Sequence, residues 1–290
     1  MGHQDRKPTL VLYGNCQLSC AKFILESLPT ITDQFDIGFG TSIDTPNGRV
    51  NYNDVEEDIL KRCHFLIEQI AEEEMASRFV PFAQSEILSK EVKRFKIPSL
   101  SGAVYWPTHF HDYRNKDYRE LEQYSGKGPY PVGDRVINNM IREGVDPQRV
   151  AQEYIDSDFG ALMNLARLFE MWNYCGTQRD LDSDIQIHSY VLENLQHKQL
   201  FYTVRHPTME MMGVYVALIL DALGLMYPSY WEDVQQLAYD PIEEYHFPVH
   251  PSIGASYGMK WVTPEKTYRH YDNGSFPFSE FIHRYAHFTH

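Results

Sequence analysis

Thr9-Leu10-Val11-Leu12-Tyr13-Gly14-Asn15-Cys16-Gln17 decides how this chain is read. A short aliphatic and β-branched run stops at a glycine, and a helical pattern, Leu18 to Leu28, follows at once. Together they make a strand, a turn and a helix, with a cysteine at the turn. A thiol placed there lies beside the first N–H groups of a helix, which lack intrahelical partners and favour negative charge. Such surroundings lower a thiol pKa and supply a thiolate. The turn is a candidate seat for a nucleophile, for an anion, or for both.

Outward from this turn, apolar runs at Leu10–Gly14, Phe35–Phe39, Phe65–Ile70 and Arg94–Ile97 read as strands. Helical patterns lie between them at Leu18–Leu28, Val55–Cys63 and within Met75–Lys90. Alternation of this kind predicts an α/β fold with a parallel sheet in the N-terminal part. Right-handed crossovers then place helices on both faces. Asp44–Asn53, with Pro46, Asn47 and Gly48, reads as a loop.

The pattern changes after Pro98. Ser99 to Pro131 is rich in Tyr, His, Gly and Pro and reads as a long loop, of the kind that covers a site. Helices dominate from Asp134, which caps Arg135–Glu143; Gly144 ends that helix and Asp146-Pro147 starts the next. Asp158–Trp172 and Ile185–Gln196 read as two more. Leu200–Val204 reads as a late strand returning to the sheet, ending in Arg205-His206-Pro207-Thr208, before the apolar helix Met211–Met226. Two regions follow, a sheet region 1–132 and a largely helical region 133–290, either separate or fused into one compact domain. Ligands of open α/β sheets bind outside the carboxyl ends of the strands, so Cys16 and His206 are both expected on that rim.

Composition sets limits. The chain has 290 residues, 43% of them hydrophobic and 14% aromatic, enough for a large core and too many for disorder. With 40 acidic and 26 basic residues its net charge is -14, a poor match for nucleic acid or an anionic membrane. Cys16, Cys20, Cys63 and Cys175 are scattered as reduced thiols are, and no zinc spacing is present. Met1–Pro8 is polar, without an apolar signal region, and the longest apolar stretch contains Asp221 and is too short to span a bilayer. A soluble cytoplasmic protein is expected. There is no glycine-rich dinucleotide fingerprint, no phosphate loop and no G-x-S-x-G elbow.

Several residues are candidates for chemistry, each against a plainer structural role. Cys16 is a thiolate nucleophile or a small residue packed under a turn. The side-chain amides of Asn15 and Gln17, with nearby backbone N–H groups, are candidate oxyanion donors. His206 is a candidate general base and Arg205 a bidentate phosphate ligand; alternatively Pro207 simply starts a helix there. His246 and His250 flank Pro248, which rules out one continuous helix through both. His109-Phe110-His111-Asp112 has ligand types for a metal, but so short a pattern is common by chance, and no metal is assigned. Glu72-Glu73-Glu74 reads as a solvated helix start, and Asp180, Asp182 and Asp184 as a loop and helix cap.

Gly14-Asn15-Cys16-Gln17 after an N-terminal strand resembles the opening signature of the WcbI family of polysaccharide biosynthesis proteins. Tyr105-Trp106-Pro107, Gly133-Asp134-Arg135-Val136-Ile137 and Leu200-Phe201-Tyr202-Thr203 running into His206-Pro207-Thr208 are similar too, in the same order over most of the chain. Gly-Asn-Cys also resembles the first block of SGNH hydrolases with Cys in place of Ser, so the sheet is expected to be Rossmann- or SGNH-like. No G-x-N-D block or D-x-x-H accompanies it, and Phe247 stands where the acid before His250 belongs. The resemblance implies a part in bacterial capsular polysaccharide biosynthesis, binding of coenzyme A, and O-acetyl transfer from acetyl-coenzyme A to a sugar hydroxyl. It implies Cys16 as nucleophile or acyl-pocket residue, His206 or His250 as base, and Asn15 and Gln17 at the oxyanion. Gly14, Lys22 and Arg205 are then candidates for holding the coenzyme, with Tyr105 and Trp106 stacking on adenine or sugar. An esterase using the same constellation and a non-catalytic coenzyme- or sugar-binding accessory protein are the alternatives.

Overall fold

The computed structural model describes residues 6–45, 48–53, 57–70, 87–110, 112–118, 128–237, 240 and 243–288. The chain forms two compact units, each discontinuous in sequence. The first comprises Met1–Leu100, Cys175–Tyr190 and Met209–Asp240; the second Ser101–Tyr174, Val191–Thr208 and Pro241–His290.

The first unit is built on β1 (Thr9–Tyr13), all five residues of which are buried. A strand covered on both faces needs an unbroken apolar run, and Leu10-Val11-Leu12 supplies it. β2 (Asp36–Thr45) and β4 (Cys63–Ile70) flank β1 in parallel, β3 (Gly48–Asn53) pairs antiparallel with β2, and β5 (Lys93–Pro98) extends the sheet beyond β4. The strand order is β3-β2-β1-β4-β5. The parallel α/β core expected from the sequence is therefore present. Residues 44–45 and 48–53, read as loop, lie instead in β2 and β3, with Asp44 opposite Arg49 and Thr41 opposite Tyr52. The polar composition hid the alternation there.

α1 (Cys16–Glu26) buries Leu18, Ala21, Ile24 and Leu25, the three-four spacing of a helix laid on a sheet. Two short helices, α2 (Pro29–Thr32) and α3 (Glu57–Lys61), precede β2 and β4. The helix sought within 75–90 falls largely outside the described residues, as does the run Glu72-Glu73-Glu74. The 180s segment serves the sheet. Asp184 Oδ2 accepts the Lys96 N–H at 2.7 Å, and the Asp184 and Ile185 N–H groups both donate to the Lys96 carbonyl. Asp180 accepts from the N–H of His188 at 2.8 Å, where the next helix begins.

The second unit is largely helical. Asp134 caps α4 (Arg135–Arg142) by accepting from Val136 N–H at 2.8 Å, and Gly144, with φ +78°, ends the turn that follows. Asp146 and Pro147 open α5 (Pro147–Ile155) as expected. The helix read over Asp158–Trp172 is two: α6 (Phe159–Leu162), and the longer α7 (Leu165–Leu181), whose later turns belong to the first unit. α8 (His188–Asn194) is followed by β8 (Phe201–Thr203). β8 does not join the five-stranded sheet. It folds back on β9 (His206–Pro207) as an antiparallel hairpin through Val204-Arg205, a correction to the expected return. Three residues carry too little pattern to say what a strand pairs with. The two other small sheets of this unit are β6 (His109–Phe110) with β7 (Gly133–Asp134) and β10 (Thr267–Arg269) with β11 (Ser275–Pro277).

The apolar stretch after β9 is α9 (Met209–Leu223), in the first unit, with Met211, Met212, Tyr215, Val216, Ile219 and Leu220 fully buried against α1 and its surroundings. Among the described residues no helix is long and apolar enough to cross a membrane. α10 (Tyr230–Gln235) closes this unit, while α11 (Pro251–Ser256) and α12 (Phe278–Ala286) complete the second.

Candidate active site at the end of the first strand

β1 delivers the chain to Gly14, whose N–H donates to the Gly40 carbonyl at 3.0 Å. Asn15 is the extended N-cap of α1, and its Oδ1 accepts from Gln17 N–H at 2.8 Å. Cys16 is the first residue of α1 and is exposed, at the carboxyl end of a parallel strand. Cys20, one turn on, is buried; desolvation, helped by Asp240 and Cys16, pushes its thiol up to about 12. Of these two thiols, Cys16 is the one solvent reaches.

The first turn of α1 is satisfied largely from within. Asn15 N–H donates to Gln69 Oε1 at 2.9 Å, Gln17 N–H to the Asn15 side chain, and Leu18 and Ser19 N–H to the Asn15 carbonyl at 3.0 and 3.2 Å. The N–H groups of Asn15, Gln17, Leu18 and Ser19 are thus taken up by the protein's own acceptors. Among the described residues the Asn15 Nδ2 has no acceptor, which leaves it as a side-chain donor at the turn.

Gln17 does not serve as an oxyanion donor. It is 1% exposed; its Nε2 donates to the Leu100 carbonyl at 2.8 Å and its Oε1 accepts from Leu100 N–H at 2.9 Å and Gln69 Nε2 at 3.0 Å. The side chain copies a strand's hydrogen-bonding edge and straps the chain beyond β5 to α1. Gln69 was not singled out from the sequence. Its signal was an amide near the end of the apolar strand Phe65-Leu66-Ile67-Glu68-Gln69-Ile70.

Comparison with known proteins bears on this turn. The family model described as polysaccharide biosynthesis enzyme WcbI matches residues 9–228, which begin at β1 and run through α9. The chain belongs to the WcbI family of polysaccharide biosynthesis enzymes. A solved WcbI structure superposes with a TM-score of 0.68 at 16% identity, covering 96% of this chain and 88% of the other. That structure is described as native protein without a disulfide bond between coenzyme A and one of its cysteines. The likeness is one of fold. No curated protein matches the chain.

The remaining candidates of this WcbI-family chain fare unevenly. Lys22 sits on α1, but its ammonium pairs with Glu26 Oε1 at 2.7 Å, one turn further from Cys16. Arg205 and His206 are half-buried in the β8–β9 hairpin of the second unit. His250 is 2% exposed and caps α11: Nδ1 accepts from Ser252 N–H at 3.2 Å, and Nε2 lies 3.0 Å from the Tyr154 carbonyl. A carbonyl only accepts, so Nε2 carries the proton and both ring nitrogens are committed, which removes His250 as a base. Burial also lowers its pKa. Tyr105 and Trp106 are 0% and 3% exposed, packed with Phe201, Trp261 and Phe247, with the Trp106 indole donating to the Pro248 carbonyl at 2.9 Å. They are core aromatics, without an open face for adenine. His111 lies outside the described residues, and the buried Asp112 carboxylate is paired with Arg114 at 2.7 Å.

Proposed function

We propose that this WcbI-family chain binds coenzyme A and acetyl-coenzyme A at the Cys16 turn and transfers the acetyl group to a sugar hydroxyl in capsular polysaccharide biosynthesis. The observation that carries this reading is the exposed Cys16 thiol at the first position of α1, at the carboxyl end of β1. The family's description as polysaccharide biosynthesis enzymes supports it, as does the naming of coenzyme A and a cysteine in the description of the solved neighbour, a structure without the disulfide between them.

In this reading acetyl-coenzyme A is the acyl donor, a substrate. Cys16 either takes the acetyl group as a thioester, releasing the coenzyme thiol, or lines the acyl pocket during direct transfer. Asn15 Nδ2 is the side-chain donor offered to the oxyanion. His250 is spent on capping its helix, and Lys22 is held by Glu26, so neither serves as base or phosphate ligand.

Titration calorimetry with coenzyme A and acetyl-coenzyme A tests binding. Cys16→Ala should keep coenzyme binding and abolish acetyl transfer; unchanged turnover removes the thiol from the chemistry. Hydrolysis of a simple acetyl ester without coenzyme affinity favours an esterase. The internally capped first turn of α1 favours one second reading, a coenzyme-binding accessory protein, which predicts saturable binding and no turnover with any acceptor.

A further inference from the structure

We infer that Gln69 is a positioning residue for Cys16, its carboxamide fixing the backbone of the turn on which the thiol is mounted. Tyr13 faces Glu68 across the β1–β4 ladder, which sets Gln69 beside Gly14. Gln69 is 8% exposed, and all of its polar capacity points inward. Oε1 accepts Asn15 N–H at 2.9 Å; Nε2 donates to Gln17 Oε1 at 3.0 Å and to the Tyr215 hydroxyl at 3.2 Å. The Tyr215 hydroxyl in turn donates a hydrogen bond to the Pro98 carbonyl at 2.9 Å. A backbone N–H only donates and the Gln17 Oε1 only accepts, so the Gln69 amide has a single workable orientation.

Gly14 is the matching half of the device. A Cβ there would lie 2.7 Å from Gln69 Cβ and 2.8 Å from Gln69 Oε1, so the close approach that lets Oε1 reach Asn15 requires glycine. Asparagine at 69 is a methylene too short for this span, and glutamate keeps the acceptor but loses the two donated bonds when ionised. With Asn15 N–H tied to β4 and Asn15 Oδ1 tied to Gln17 N–H, the residues on both sides of Cys16 are held. The side chain at Cys16 is thereby kept at the positive end of α1.

What that placement is for rests on the coenzyme reading, but its test does not. In a Cys175→Ser background, the rate of Cys16 modification by an aromatic disulfide reagent is followed from about pH 6 to about pH 9. Gln69→Met keeps the length and removes the hydrogen bonds. It should lower the neutral-pH rate, relative to the alkaline plateau, about two- to five-fold. Tyr230→Phe, which loses a buried bond to the Gly213 carbonyl (2.6 Å) in the same unit, is the control for stability alone and should leave the profile in place. A Gln69→Met profile superimposable on wild type, or an equal shift in Tyr230→Phe, overturns the assignment. Should Gln69→Met not fold, hydrogen exchange of the wild-type Asn15 amide decides: slow exchange is expected, and exchange as fast as an exposed amide refutes it. These kinetics need no coenzyme, so a failed coenzyme titration would sink the proposed function and leave Gln69 standing, and the reverse holds equally.

Discussion

Asp134 and Tyr154 join two helices: the Tyr154 hydroxyl donates to Asp134 Oδ2 at 2.9 Å while Asp134 Oδ1 caps α4. Thr108 donates to the same Oδ2. Burial raises the carboxyl pKa, and these hydrogen bonds oppose the rise. A raised acid stabilises the fold most below the ordinary aspartate range and loses that contribution as pH climbs through its folded value. Asp134→Asn keeps an acceptor for the cap and carries no charge, so it should remove this pH dependence and cost less than removal of the whole side chain, although the two hydroxyls then face an amide NH2. Asp134→Ala should cost about 2 kcal/mol, because the cap goes and two buried hydroxyls lose their acceptor. Urea titrations at several pH values separate the two.

Gly14→Ala should destabilise by about 1–3 kcal/mol through overpacking, since Gln69 and Leu18 both stand within 2.8 Å of the new methyl position. The thermal midpoint reports it. A midpoint equal to wild type would show that the turn has slack which the contacts deny.

Thiol labelling of the native protein should proceed at Cys16 first. Cys20 and Cys63 are 3% and 4% exposed, and desolvation above all pushes their thiols up to about 12 and about 11. Mass spectrometry of a partial reaction gives the order. Modification of Cys63 ahead of Cys16 would mean that β4 opens more readily than the first turn of α1.

His246 lies face to face with Tyr202, ring centroids 4.1 Å apart, and its buried Nε2 has no hydrogen-bond partner among the described residues. Burial, with Lys266 and Arg269 nearby, lowers its pKa to about 3. A depressed histidine supports the fold above its ordinary pKa and withdraws that support as pH falls toward the folded value. Burial lowers His250 and His270 as well. Stability should therefore decline steadily on acidification from about pH 6.5. His246→Phe should flatten that slope and add about 1 kcal/mol at neutral pH by removing an unmatched nitrogen. Denaturant midpoints between neutral and mildly acid pH measure both effects.

The parallel core was legible because Leu10-Val11-Leu12 and Phe65-Leu66-Ile67 must be buried on both faces, and little but a sheet interior accepts such runs. The caps Asp134 and Asp146 were legible because their chemistry is local. Roles set by distant neighbours were not. Gln17 reads identically as an oxyanion donor and as a strap; Leu100, 83 positions away, decides. Tyr105 and Trp106 offered aromatic rings, but sequence spacing does not say which faces are covered. His250 looked like a base until Tyr154 and Ser252 claimed its nitrogens. The hairpin around Gly48 was concealed by polar composition, although Asn47-Gly48 is itself a hairpin signal.

One small pairing in the first unit bears on self-association. Lys96 has both its N–H and its carbonyl taken by the Asp184–Ile185 segment, and Pro98, two residues on, has no N–H to give. A foreign strand seeking to lengthen the sheet past β5 meets occupied groups and then a proline. The ladder terminates here by construction, which guards an otherwise exposed margin against edge-to-edge aggregation.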